Sequence, residues 1–244
     1  MRNILIIAQK ETAAFLNSLI AYVVITVFLT GIGLFFWIFN NNILDTGAAD
    51  LNTLFLLGPW FFLFLIPAIT MRAFADEIRS GTLDLLLSRP VTIWQILWGK
   101  FLASCILVFF ALLPTLCYYF SISWLGNPPG NLDTGATWGA YLGLLMLGCS
   151  FAAIGLFTSA LTDNTIIAFI FGAFLCFFFY TGFDLLAELP ILSKWNESII
   201  KWGMIEHFRS ISRGVVDSRD IIYFASISYV FLFLSDLKLS ARKR

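Results

Sequence analysis

The stretch Met71–Lys100, MRAFADEIRSGTLDLLLSRPVTIWQILWGK, is the long charge-bearing segment that lies between apolar runs, and its reading decides the fold. Asp76, Glu77 and Arg79 form a polar helix end, and Ser80-Gly81 breaks it. Thr82 to Ser88 then makes a short apolar turn of helix carrying Leu83, Leu85, Leu86 and Leu87, which Arg89-Pro90 stops. Thr92 stands three residues before Gln95, the spacing at which a hydroxyl and an amide satisfy each other's orphan backbone donors at a helix start. Trp94 and Trp98 mark entry into the next membrane run. The pattern is helix, glycine hinge, short apolar helix, proline turn, capped helix.

On both sides of this stretch the chain is far more apolar than a soluble domain. Of its 244 residues 59% are hydrophobic and 12% charged, against the roughly 45–50% apolar residues of a typical globular protein. Five runs free of Asp, Glu, Lys and Arg reach the ~20 residues that a bilayer core requires: 12–44, 51–71, 101–132, 134–162 and 164–183. A sixth, 221–235, is about 22 Å long as a helix and borrows length from its flanks, up to Leu239. The expectation is an all-α integral membrane protein, one transmembrane domain over 1–244, with six spans at about 15–39, 53–71, 99–124, 137–161, 165–184 and 220–239.

Orientation follows from lysine and arginine in the connecting segments. Arg2, Lys10, Arg72, Arg79, Arg89, Lys100, Lys238, Arg242, Lys243 and Arg244 share one side; Lys194, Lys201, Arg209, Arg213 and Arg219 share the other. That bias puts both termini in the cytoplasm. The start, MRNILIIAQKETAAF, has too short an apolar stretch for a signal peptide. It suits an interfacial helix, or equally a plain extension of the first span. Gly58-Pro59, Pro67 and Pro114 predict kinks, and Gly139 with Gly143 permits a close helix approach.

Between spans five and six, Trp195, Ile199, Trp202, Ile205 and Phe208 recur at helical spacing, which predicts amphipathic outer helices. Read functionally this segment is an outer gate, with Glu206, Arg213 and Gly214 as its candidate residues; otherwise it is a packed cap. The chemistry is sparse. Gly99-Lys100 is followed by Phe101 and lacks the upstream glycine of a phosphate-binding loop, so the chain is not expected to hydrolyse ATP by itself. The single histidine, His207, excludes a multi-histidine metal site, and the four cysteines sit in apolar runs without metal spacing. A net charge of +0 gives no footprint for nucleic acid. The spans carry almost no ionisable groups, which speaks against an ion-coupled carrier.

Residues 76–91, DEIRSGTLDLLLSRPV, followed by Ile96-Leu97-Trp98-Gly99-Lys100, closely resemble the E-x-x-x-G-T-[LIV]-[ED]-x-L-L-[ST]-x-P-V…GK pattern of ABC-2 type transporter permeases. Asp84 stands where glutamate is common in that family and keeps the charge. The segment 206–217, EHFRSISRGVVD, and 220–224, DIIYF, are similar to the branch that includes the gliding-motility permease of Bacteroidota. The resemblance implies six spans, an interfacial N-terminal helix, a cytoplasmic coupling helix and outer helices between spans five and six. It implies a multi-pass subunit of the bacterial cytoplasmic (inner) membrane, surrounded by lipid, that pairs with a second permease subunit and with separate ABC ATPase subunits. ATP and Mg²⁺ would be held by those ATPases, with no cofactor or metal on this chain. On this resemblance Glu77, Gly81, Thr82, Leu83, Asp84, Leu86, Leu87, Arg89 and Pro90 form the ATPase-coupling element. A non-transporting membrane anchor for a motility or secretion complex, or a multi-pass lipid-modifying enzyme, are the readings from other classes.

Overall fold

The computed structural model describes residues 2–39, 43–47, 49–87, 91–128 and 130–242, and every regular element within them is helical. Helix α1 (Arg2–Leu16) ends at Asn17, and Ser18 then caps α2 (Leu19–Trp37) by accepting from the Ala21 N–H at 3.3 Å. After the four-residue α3 (Ile43–Thr46), α4 (Asn52–Thr70) and α5 (Arg72–Arg79) form a nearly continuous rod. Gly81, at φ 72°, turns the chain into α6 (Thr82–Leu87). That conformation is open to glycine and costly for other residues.

The capping box expected at Thr92 and Gln95 is present and starts α7 (Ile93–Leu112). Pro114 interrupts the third span with one 3₁₀ turn, Leu113–Thr115, before α8 (Leu116–Leu125). The Tyr141 hydroxyl donates to the Thr115 carbonyl there at 3.0 Å, so the irregular turn does not leave that oxygen bare. Helix α4, by contrast, runs through Pro59 and Pro67 without interruption. Asp133 caps α9 (Thr134–Leu161) and Asn164 caps α10 (Thr165–Phe177). A π-helical segment, Phe178–Gly182, leads into α11 (Phe183–Ala187). The outer segment consists of a 3₁₀ turn, Pro190–Trp195, then α12 (Asn196–Ile200) and α13 (Met204–Ser212). Helix α14 (Ser218–Arg242) closes the bundle.

Six of these helical stretches are long and apolar enough to cross a membrane: Leu19–Trp37, Asn52–Arg79, Ile93–Leu125, Thr134–Leu161, Thr165–Ala187 and Ser218–Arg242. The protein is an all-α integral membrane protein. Helix α9 is its centre, packed by α4, α5, α7, α10, α13 and α14. Its sequence explains the position: small residues let neighbouring backbones come close, which is what drives helix association where water supplies no hydrophobic force. Gly139 lies directly under α13, where a Cβ would stand 2.5 Å from the Ile211 carbonyl oxygen. The Gly139/Gly143 pair therefore serves a contact inside the subunit.

Further along α9, a methyl group on Gly155 would overlap Thr70 Oγ1. Among the described residues Thr70 bonds only to its own helix, to the Ile66 carbonyl at 3.0 Å and the Pro67 carbonyl at 3.5 Å. Gly155→Ala is therefore expected to destabilise the bundle by about 1–3 kcal/mol through overpacking. Thr70→Ala in the same chain should recover most of the loss in melting temperature measured in detergent.

Candidate functional site

The described residues of the opening stretch fall at one end of the bundle, on α5, α6 and the first turns of α7. Ser159 of α9 fixes where this end begins. Its Oγ donates to the Met71 carbonyl at 2.8 Å and accepts from the Phe74 and Ala75 N–H groups at 2.9 and 3.0 Å. Those two N–H groups would otherwise bond carbonyls four residues back within the rod. A side chain inserted into that ladder is a recognised cause of a bend. It ties the junction of α4 and α5 to the centre of the bundle.

One turn further, Glu77 Oε1 lies 2.7 Å from Lys100 Nζ, and Glu11 Oε1 of α1 lies 3.4 Å from the same nitrogen. The ammonium also sits 5.1 Å from the centre of the Phe74 ring. Lys100 is only 2% exposed. Because α7 begins at Ile93, this lysine is about two turns inside the helix. Gly99 makes the arrangement possible: a Cβ there would stand 2.5 Å from Ile7 Cγ2 and 3.4 Å from the Ala8 nitrogen, so α1 lies directly on α7. Against the expectation that the spans carry almost no ionisable groups, Lys100 is a buried exception near the start of the third. A lysine and two carboxylates on three helices form an ionic knot, within which Glu77 Oε2 has no hydrogen-bond partner among the described residues. Removing one member of such a group costs far more than the group as a whole contributes, because the remaining charges stay buried and unpaired.

Beyond Gly81 the short helix is held at both its start and its inner face. Ser80 Oγ bonds the Asp76 carbonyl at 2.7 Å and lies 2.8 Å from Thr82 Oγ1. Leu83 is 2% exposed and belongs to the main core, whereas Leu85 is 68% exposed. Leu83 therefore anchors α6 and is not on its outward surface. Asp84, Leu86 and Leu87 lie on the same helix, with their side chains outside the described residues, as are Arg89 and Pro90 altogether.

The outer residues do not gather into one site. Glu206 is half-buried on α13, Arg213 is exposed just after it, and among the described residues no ion pair joins them. Gly214, at φ 86°, packs against the start of α9, where a Cβ would stand 2.8 Å from the Ala136 nitrogen. His207 is half-buried and held through both ring nitrogens. Its Nδ1 lies 2.6 Å from Asp220 Oδ1, its Nε2 3.0 Å from the Lys201 carbonyl, and its ring stacks on Tyr223 at 3.8 Å. It clasps the α12–α13 turn to the start of α14. Among the described residues no group of three or more His, Cys, Asp or Glu side chains could hold a metal ion.

These features define a polytopic membrane protein in which the second and third spans of a six-helix bundle are joined by an elbow, from α5 through α6 to the start of α7, that is pinned by charge. The chain belongs to the ABC-2 family of transporter proteins: the family model described as "ABC-2 family transporter protein" matches residues 5–199. The match runs from α1 into α12 and contains the whole elbow; α13 and α14 follow it. Membership makes this chain the membrane subunit of a transporter and implies partnership with an ABC ATPase subunit. A comparison with curated proteins brings no match.

Proposed function

We propose that this chain is a permease subunit that moves or extrudes a substrate across the cytoplasmic membrane, using ATP hydrolysed by separate ATPase subunits, with α6 as the element they push. The observation that carries this reading is the mounting of α6. A six-residue helix anchored by buried Leu83 presents exposed Leu85, and sits at the end of a rod clamped by Ser159 and Lys100. A force applied to α6 passes into α5, and from there to α1, α7 and α9. A loosely attached loop would absorb the same motion.

In this reading α1 lies at the cytoplasmic interface, both termini are cytoplasmic, and a second permease subunit completes the pathway through the bacterial inner membrane. The likeness of Glu206–Asp217 to the gliding-motility branch supports a role in motility. The chain itself contributes no catalytic residue; ATP and Mg²⁺ belong to the partner.

The test is co-purification with the ATPase expressed from the same cells. The complex is expected to hydrolyse ATP, and the permease chain freed of ATPase to show no more activity than a blank. Hydrolysis that persists after all ATPase is removed would overturn the assignment.

A further inference from the structure

At the end of the bundle remote from α6, a groove of about 350 Å³ runs between the start of α4, the π-helical segment and α13. Its lining includes Asn52, Leu56, Trp60, Tyr180, Phe208 and Arg209. We infer that this groove binds one anionic phospholipid, with Arg209 holding its phosphate and Leu56 and Trp60 lying along its acyl chain.

The groove has a polar end and an apolar end. Tyr180 and Phe208 are buried and form the floor, with the Trp60 ring edge-on to Tyr180 at 5.8 Å between centroids. Leu56 and Trp60 are exposed on the outer surface of α4. Trp60 is eight residues past Asn52, about 12 Å along the helix, so the apolar end opens at the depth of acyl chains. Arg209 is exposed at the other end, and no carboxylate forms an ion pair with it among the described residues. Asp184 is near enough to feel its charge without meeting it.

A guanidinium with unused donors is suited to phosphate. Tyr180 lines the same groove, and its hydroxyl supplies a second donor. Tyr180 sits in the π-helical segment, a distortion that recurs at functional sites. A free anion would neutralise Arg209 and leave the aromatic wall bare, whereas a lipid covers both ends.

The test is native mass spectrometry of the full chain in detergent, titrated with palmitoyl-oleoyl phosphatidylglycerol or with the zwitterionic phosphatidylcholine. Both lipids carry the phosphate, but in phosphatidylcholine the choline cation competes with Arg209 for it, so the wild type should retain phosphatidylglycerol about tenfold better than phosphatidylcholine. Arg209→Gln should abolish that preference, and Arg209→Lys should keep most of it. Arg213→Gln, which removes the same charge four residues away and outside the groove, should leave it intact. Equal phosphatidylglycerol retention by Arg209→Gln, equal loss in Arg213→Gln, or displacement of the lipid by millimolar inorganic phosphate would each overturn the proposal.

Discussion

Replacing Lys100 with methionine is expected to cost the folded bundle about 3–5 kcal/mol, the penalty for leaving buried charge without its partner. Glu77 and Glu11 would then face one another across the space that the ammonium fills, each with a largely buried side chain. Methionine keeps the length and the apolar stem, so the loss isolates the charge from the packing. The double variant Lys100→Met/Glu77→Gln removes one of the two stranded carboxylates and should regain more than half of the lost stability. Thermal unfolding in detergent reads both effects, and the non-additivity of the pair measures the coupling directly. An unchanged melting temperature in Lys100→Met would mean that the knot does not hold α1, α5 and α7 together.

The difference between what the sequence shows of this site and what it hides follows from the range of each interaction. Local features are written in neighbouring residues. The box at Thr92–Gln95, the turn at Gly81 and the interruption at Pro114 each need only three or four positions to specify them, and each is present. The membrane runs are equally plain, because a bilayer requires long uninterrupted apolar segments. Lys100 is different. Its partners are 23 and 89 positions away, and a charge eight residues into a helix reads on paper like one at its mouth.

The capping box was the available signal, since it starts the helix well before Lys100 and so draws the lysine inward. Ser159 is harder still: one serine in an apolar run reads as a small residue, and its three bonds to Met71, Phe74 and Ala75 exist only because α9 crosses the elbow. The π-helical segment in Phe178–Gly182 has no residue pattern that announces it. In α6, leucines at 83, 85, 86 and 87 leave no polar face, so periodicity cannot tell which one turns inward.

That last ambiguity sets up the most discriminating experiment on coupling. Leu83 and Leu85 are two residues apart on the same short helix, are chemically identical, and differ in exposure from 2% to 68%. An aspartate at 83 would bury an unpaired carboxylate in the subunit's own core, so Leu83→Asp should reduce the yield of folded protein whatever α6 does. An aspartate at 85 meets solvent in the isolated subunit, and Leu85→Asp should insert and unfold like the wild type. If α6 seats in an ATPase, the same charge becomes buried in the assembled complex at a cost of a few kcal/mol. Recovery of the ATPase with the tagged permease should then fall by about a hundredfold for each ~2.7 kcal/mol lost, and transport should fall with it. Leu86→Asp, on the next position of the helix, should act in the same direction. Asn131→Asp, in the loop before α9 at the opposite end of the bundle, adds the same charge and should change neither quantity. Full ATPase recovery and normal transport with Leu85→Asp and Leu86→Asp would place the contact elsewhere on the subunit and leave α6 as a structural turn.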